Sequence, residues 1–147
     1  MTSSAQPPLT VRVTRRFDAT PERVFDAWLD PRTAGKWLFA TPTGRMVRVD
    51  IDARVGGAFT FVDRRNGEDV AHEGEYLDID RPRRLVFLFA VPRYSSQRTR
   101  IEVEIEPHGT GCVLTLAQDG VPPEMESRTV AGWSGVLDAL ARTIGAD

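Results

Sequence analysis

The chain contains few side chains able to catalyse a reaction or bind a metal. His72 falls on a predicted strand and His108 in a predicted turn, and neither has a cysteine or a second histidine at the spacing of metal ligands. Cys112 begins an apolar strand with no basic neighbour that would make it a thiolate, so we expect a small core residue. A single cysteine forms no internal disulfide. We therefore expect no metal site and no cofactor.

Two glycine-containing stretches resemble functional motifs but lie in the wrong context. Gly132-Trp133-Ser134-Gly135 falls inside a predicted helix, whereas a nucleophilic serine needs the Gly-x-Ser-x-Gly spacing on a strand-to-helix turn. Gly56-Gly57 precedes a strand and not a helix N-terminus, so it predicts a hairpin turn and not a phosphate-binding loop. No catalytic residue is assigned.

Aromatic and apolar side chains carry the functional prediction. Core packing explains most of them, since strands favour aromatic residues. A sheet that curves around one helix nevertheless encloses more volume than the helix fills, and this excess predicts a ligand pocket. The predicted ligand-binding residues are Trp37, Met46, Phe59, Phe61, His72, Tyr76, Phe87, Phe89, Ile101, Gln118, Trp133 and Leu137. Arg100 is a further polar candidate, although strand alternation places it on the solvent face.

A long helix over residues 122–144 is predicted to close the domain. Its apolar residues recur at intervals of three and four and form one face: Val130, Trp133, Leu137, Leu140 and Ile144. Such a face must lie on a broad apolar surface. Gly132 and Gly135 each cost the helix about 1 kcal/mol relative to alanine, and close approach of another backbone is the usual reason. The alternative is that the two glycines form a notch that helps to shape the pocket.

The rest of the chain predicts one strand, two short helices and six further strands. Residues 9–17 alternate as a strand, Thr20-Pro21 begins a helix, and Asp30-Pro31 ends that helix and begins a second one through Lys36. Turn residues such as Asn66-Gly67 separate β-rich segments at 45–51, 58–63, 70–79, 84–91, 98–106 and 112–118. The predicted fold class is α+β, an antiparallel sheet covered by the long helix.

Composition limits the setting in which the protein acts. The 147 residues carry a formal net charge of −2 and are 41% hydrophobic, typical of one globular domain, placed at residues 9–147 after a flexible tail at residues 1–8. No apolar run approaches the roughly 20 residues that cross a bilayer, and the N-terminus lacks a signal-peptide pattern. We expect a cytoplasmic protein with no membrane or nucleic-acid partner. A homodimer is compatible with the sequence.

Seven motifs follow one another along nearly the whole chain. They are ATPERVFDAW at 19–28, KW at 36–37, VGGAF at 55–59, EGEY at 73–76, RPRRL at 81–85, CVLTL at 112–116 and GW at 132–133. Together they resemble the heat-shock protein 90 ATPase activator homologue family, within the START-like helix-grip superfamily. The resemblance implies a curved, seven-stranded antiparallel sheet that grips the C-terminal helix, with a cavity that often holds an apolar molecule. Relatives commonly have a histidine near the end of the last strand, where this sequence has Gln118-Asp119.

Three functions are open at the level of sequence. The first is the non-enzymatic binding of a small apolar or aromatic molecule in the cavity, and this is our prediction. The second is an enzyme of cyclase, dehydratase or hydrolase type that uses the same cavity, for which the sequence offers no clear acid and base pair. The third is a co-chaperone or another protein-binding module, which needs an exposed apolar or strongly charged patch.

Overall fold

The structure, a computed structural model, describes residues 7–41, 43–95 and 97–146, so most of the predicted N-terminal tail lies outside the described residues. Strands and helices follow in the predicted order. They are β1 (Leu9–Phe17), α1 (Pro21–Leu29), α2 (Pro31–Trp37), β2 (Arg45–Ile51), β3 (Ala58–Arg65), β4 (Glu68–Asp80), β5 (Arg84–Ala90), β6 (Thr99–His108), β7 (Gly111–Val121), a 3₁₀ turn (Pro123–Met125) and α3 (Glu126–Ile144).

All seven strands form one antiparallel sheet in the order β1-β7-β6-β5-β4-β3-β2. Strands β2 to β7 therefore form a meander, while β1 crosses to pair with β7 at the far edge. With α1 and α2 after the first strand and α3 along the curved sheet, the α+β helix-grip architecture expected from the sequence is confirmed.

The two short helices begin at the predicted caps. The Thr20 hydroxyl accepts a hydrogen bond from the backbone N–H of Arg23, and the Asp30 carboxylate accepts one from the backbone N–H of Arg32. Each cap is followed by a proline, whose fixed φ suits the first helical position. Because the same Asp30 ends α1 and caps α2, no linker separates the helices, and α2 carries the loop 38–41 onto one end of the sheet.

The hairpin between β3 and β4 extends both strands beyond their predicted ends. Asn66 and Gly67 have φ values of 52° and 78°, the left-handed conformation that the tightest hairpin turn requires. Pairing therefore continues to Arg65 and Glu68 beside the turn, where polar residues hid the strand pattern. In this register Phe61 lies opposite His72, which puts Asp63, Arg65 and His72 on one face of the sheet.

Helix α3 covers the concave face of the sheet. Trp133, Leu137 and Leu140 are buried in the main apolar cluster, as the sequence predicted. The expectation that Val130 is buried is wrong, because this residue is 37% exposed. Val130 lies on the correct side of the helix but precedes Trp133, the first residue of α3 that reaches the core.

The predicted close approach of another backbone to the glycines of α3 is also wrong. A Cβ atom added to Gly132 or Gly135 would have no neighbour within 4 Å, so no second backbone approaches the helix at these positions. Gly74 on β4 shows the opposite situation, because a Cβ there would lie 2.0 Å from the carbonyl oxygen of Leu88. Gly132 and Gly135 leave an open surface along α3 instead of a close contact.

Candidate ligand-binding site

The centre of the concave face is filled by side chains. Phe59 and Phe87 meet edge to face at 5.5 Å, and Phe59 and Tyr76 lie 5.3 Å apart. A gap among these rings measures about 10 Å³, about the space of a single water. Its lining consists of Trp28, Leu38, Phe59, Phe61, Tyr76, Leu85 and Phe87.

Several predicted ligand-binding residues therefore belong to the core and not to an open cavity. Ile101 and Leu137 are completely buried in the main apolar cluster, and the half-buried Met46 packs against its edge. Burial raises the pKa of Tyr76 above its usual value, which keeps its hydroxyl neutral. Together with Phe59, Phe61 and Phe87, these residues form the packed core that borders the open pocket.

An open pocket of about 400 Å³ lies beside this core, between the first turns of α3, the loop after α2 and the ends of the central strands. Its lining consists of Phe39, Ala40, Thr41, Arg65, His72, Phe89, Val91, Gln118, Thr129, Gly132, Trp133 and Val136. Four of these were predicted to bind ligand, namely His72, Phe89, Gln118 and Trp133. The structure therefore brings part of the predicted set together, beside the N-terminal half of α3.

Phe39 forms the wall between the pocket and the core. Its ring stacks on His72 at 4.7 Å and on Phe89 at 4.9 Å, and it meets Phe61 edge to face at 5.2 Å. The backbone φ of Phe39 is 62°, a conformation that costs a bulky residue about 1–3 kcal/mol. Burial of the ring among five aromatic neighbours offsets this cost. Sequence reasoning missed Phe39 because a loop has no periodicity that reveals which side chains point inward.

A buried polar cluster holds this loop against the sheet. The Asp63 carboxylate, which is 0% exposed, accepts hydrogen bonds from the Thr41 hydroxyl at 2.9 Å and from Nε of Arg65 at 2.8 Å. Nη2 of Arg65 in turn donates to the backbone carbonyl oxygen of Phe39 at 3.4 Å. Arg65 thus joins the buried carboxylate, the loop and the pocket. The only signal for Arg65 was its place beside the Asn66-Gly67 turn, where the strand prediction stopped short.

His72 is a neutral imidazole at the floor of the pocket. It is 5% exposed, and burial, reinforced by the positive charge of Arg65, lowers its pKa to about 4. Its Nε2 atom lies 3.4 Å from Nη2 of Arg65, and an arginine can only donate. Nε2 is therefore the acceptor of this pair, and the proton of the neutral ring lies on Nδ1.

Gln118 and Trp133 form the opposite polar side of the pocket. Nε1 of Trp133 donates to the side-chain oxygen of Gln118 at 2.7 Å, and the amide nitrogen of Gln118 donates to the Thr99 hydroxyl at 3.1 Å. Both ends of the amide are thereby fixed, with its oxygen toward the indole. The indole N–H is satisfied, so Trp133 offers the pocket its aromatic ring.

A second cavity, a groove of about 550 Å³, runs between α2 and α3. Its lining consists of Lys36, Trp37, Ala40, Thr41, Ala131, Gly132, Gly135, Val136, Asp138, Ala139 and Arg142. The predicted ligand-binding residue Trp37 lies here, although its ring is mostly packed against Trp28 at 4.7 Å. The groove meets the pocket at Ala40, Thr41, Gly132 and Val136, which line both cavities.

The remaining chemical candidates lie away from both cavities. Arg100 pairs with Glu102 at 3.1 Å on the outer face of the sheet, where strand alternation predicted it. Cys112 is buried in the core, and burial raises the pKa of its thiol, which disfavours the thiolate. Among the described residues, no three His, Cys, Asp or Glu side chains form a group able to hold a metal ion. No helix in the described part of the chain is long and apolar enough to span a bilayer.

A curved antiparallel sheet gripping one long C-terminal helix, with a pocket between the two, defines a helix-grip protein. The family model described as "Activator of Hsp90 ATPase homolog 1-like protein" matches residues 18–145. The chain therefore belongs to this family, as its sequence motifs suggested. Among curated proteins, none matches the chain.

Solved structures from several bacteria share the fold. A protein from Chromobacterium violaceum is 29% identical, with a TM-score of 0.83, and the match covers 94% of this chain and 98% of the other. An AHSA1-like protein from Aeromonas hydrophila is 20% identical, with a TM-score of 0.82 and coverage of 93% and 92%. A Staphylococcus aureus protein of unknown function is 19% identical, with a TM-score of 0.84 and coverage of 97% and 96%. The fold is thus shared at low sequence identity.

Proposed function

We propose that this chain binds a small aromatic or apolar molecule in the pocket beside Phe39. The observation that carries the proposal is an open space of about 400 Å³ walled by the rings of Phe39, Phe89 and Trp133, directly beside a core with almost no free volume. Pockets for small molecules have this size and this mixture of apolar walls with a few convergent polar groups.

The charges around the pocket favour a neutral group that accepts hydrogen bonds. Arg65 and His72 line the pocket, but Asp63 already compensates the charge of Arg65, and His72 is neutral near pH 7. A charged ligand group placed here would lose its hydration without gaining an unpaired counter-charge. Nη1 of Arg65 forms no hydrogen bond with a described residue, which leaves donors for a carbonyl, sulfonyl or hydroxyl oxygen.

Dansylamide, a compact neutral aromatic probe with sulfonyl acceptors, tests the proposal. We expect saturable binding at micromolar concentrations, about −8 kcal/mol, measured by isothermal titration calorimetry. Melting temperature should rise with ligand concentration, because only the native state carries the site. Should neither dansylamide nor a panel of neutral aromatic compounds bind saturably, the proposal is wrong.

Two matched variants of α3 locate the binding. Val136 lines the pocket, whereas Val130 is exposed on the same helix and lines neither cavity. Val136→Trp should fill part of the space and weaken dansylamide binding at least about tenfold, while Val130→Trp should leave it unchanged. Equal effects of the two substitutions would place the probe elsewhere on the protein.

A further inference from the structure

The pocket and the groove adjoin at Gly132. This residue lines both cavities and is exposed, and a Cβ atom at its position would have no neighbour within 4 Å. Any larger side chain at Gly132 would rise between the two spaces. Without one, the border between the aromatic pocket and the cleft between α2 and α3 is low at this position.

The groove extends along most of α3. Its residues on this helix run from Ala131 to Arg142, a span of about 16 Å at the rise of an α-helix. Gly135 lies within this span, is exposed, and lacks any neighbour that a Cβ would meet. Glycine destabilises a helix interior, and here no packing contact requires it. The two glycines instead keep a surface low enough for a chain to lie on.

The groove, unlike the pocket, carries positive charge without an ion-pair partner among the described residues. Lys36 and Arg142 line it, and neither forms an ion pair with a described residue. The one acidic residue of the groove, Asp138, is paired with Arg15 at 2.9 Å. A negatively charged group in the groove would therefore meet two cations without displacing an existing partner.

We propose that the ligand is an elongated organic acid in two parts. An aromatic or apolar head occupies the pocket, a flexible chain crosses Gly132, and an anionic group ends in the groove between Lys36 and Arg142. This inference rests on the proposed function, because the head occupies the same pocket. Beyond the proposed function, the inference specifies the length of the ligand, the sign of its charge and the residues that select for both.

Three probes that share one head separate the contributions. Dansylamide supplies the head alone, 11-(dansylamino)undecanoic acid adds a chain with a carboxylate, and the methyl ester of that acid adds the same chain without charge. We expect the acid to bind at least about tenfold more tightly than dansylamide, since it buries the chain and meets two cations. The ester should fall between the two. All titrations stay below the concentrations at which the probes self-associate.

Two variants of the groove then test its residues. Gly135→Leu places a side chain in the groove and outside the pocket, and should weaken the acid and the ester about tenfold while leaving dansylamide unchanged. Lys36→Gln combined with Arg142→Gln should weaken the acid about tenfold and leave dansylamide and the ester unchanged. Ser127→Leu and Arg128→Gln, exposed positions of α3 outside both cavities, are the matched controls.

The outcomes distinguish this inference from the proposed function. If dansylamide binds but the acid gains nothing over it, or if both groove variants bind the acid like the native protein, the two-part ligand is wrong and the pocket proposal stands. If none of the three probes binds saturably, the two-part ligand is wrong, and if the panel of neutral aromatic compounds also fails to bind, both proposals are wrong. Thermal melting of each variant, expected near that of the native protein, shows whether a loss of affinity reflects lost folding.

Discussion

Two aromatic regions lie side by side on the concave face of the sheet, and only one of them is open. In the closed region, Phe59, Phe61 and Phe87 interlock around a gap of about 10 Å³. In the open region, Phe39, Phe89 and Trp133 surround about 400 Å³. The number of aromatic rings is similar, so aromatic content does not decide which region holds a cavity.

The difference lies in what α3 contributes to each region. Leu137 and Leu140 of this helix are completely buried in the main apolar cluster. Toward the open region α3 presents the ring of Trp133 together with three smaller residues, Thr129, Gly132 and Val136. In this chain the open space therefore lies beside small residues of α3, and the aromatic residues of the sheet do not by themselves account for it.

Truncating a ring in each region should give the largest contrast. Phe61→Ala should lower the free energy of unfolding by about 3–5 kcal/mol, because it leaves a cavity in a region without free volume. Phe89 is half-buried at the pocket wall, so Phe89→Ala should lower the free energy of unfolding by only about 1–2 kcal/mol. Urea denaturation of both variants provides the measurement. Equal losses would show that the pocket wall is as tightly packed as the core.

The buried imidazole of the open region should make stability depend on pH. The pKa of His72 is about 4 in the folded protein and about 6.5 in an unfolded chain, so between these values the unfolded state binds more protons. Stability contributed by the neutral ring is complete above pH 6.5 and falls as the pH drops toward 4. Between pH 7 and pH 4.5 this contribution should fall by about 2–3 kcal/mol.

Two histidine substitutions check the source of that loss. In His72→Gln, urea denaturation at the two pH values should show a correspondingly smaller decrease in stability. His108→Gln changes an exposed residue at the end of β6 and should retain the full decrease of the native protein. A pH dependence that survives in His72→Gln would assign the effect to other groups.

The smallest predicted effect concerns the open face of α3. Gly135→Ala should raise the free energy of unfolding by about 0.5–1 kcal/mol, since alanine favours the helix and its Cβ meets nothing. Gly74→Ala in the closed region should instead destabilise, because its Cβ would clash with a backbone carbonyl and the ring of Phe59. Thermal denaturation measures both signs. If Gly135→Ala instead lowered the melting temperature, the face of α3 at Gly135 would have to be in contact with another part of the protein.

Much of the fold was predictable because its signals are local. Caps at Thr20 and Asp30 and the Asn66-Gly67 turn fixed where helices and hairpins begin, and alternation fixed the buried face of β6. Strand ends were predicted less well. Polar residues such as Arg65 belong to a strand only because the neighbouring strand pairs with them.

The position of the pocket was not predictable to the same degree. His72, Phe89, Gln118 and Trp133 were identified, since each lies on a regular element with a readable face. Phe39 was missed because its direction is set by contacts with the sheet and by a left-handed backbone that no periodic pattern predicts. The predicted burial of Val130 was wrong for a related reason. Helical spacing predicts which side of α3 faces the sheet, but not the residue at which the helix begins to contact the core.

The placement of β1 has a consequence for the order of events during synthesis. This strand is made first, yet its neighbour in the sheet is β7, and Val13 lies opposite Leu116. The backbone N–H and C=O groups of β1 therefore have no neighbouring strand to pair with until the ribosome has synthesised β7, near the end of the domain. Pairing of such distant segments is slow, because the intervening chain must close before the contact forms. Its alternating arginine and threonine side chains give the waiting strand a solvated face that resists association with other chains.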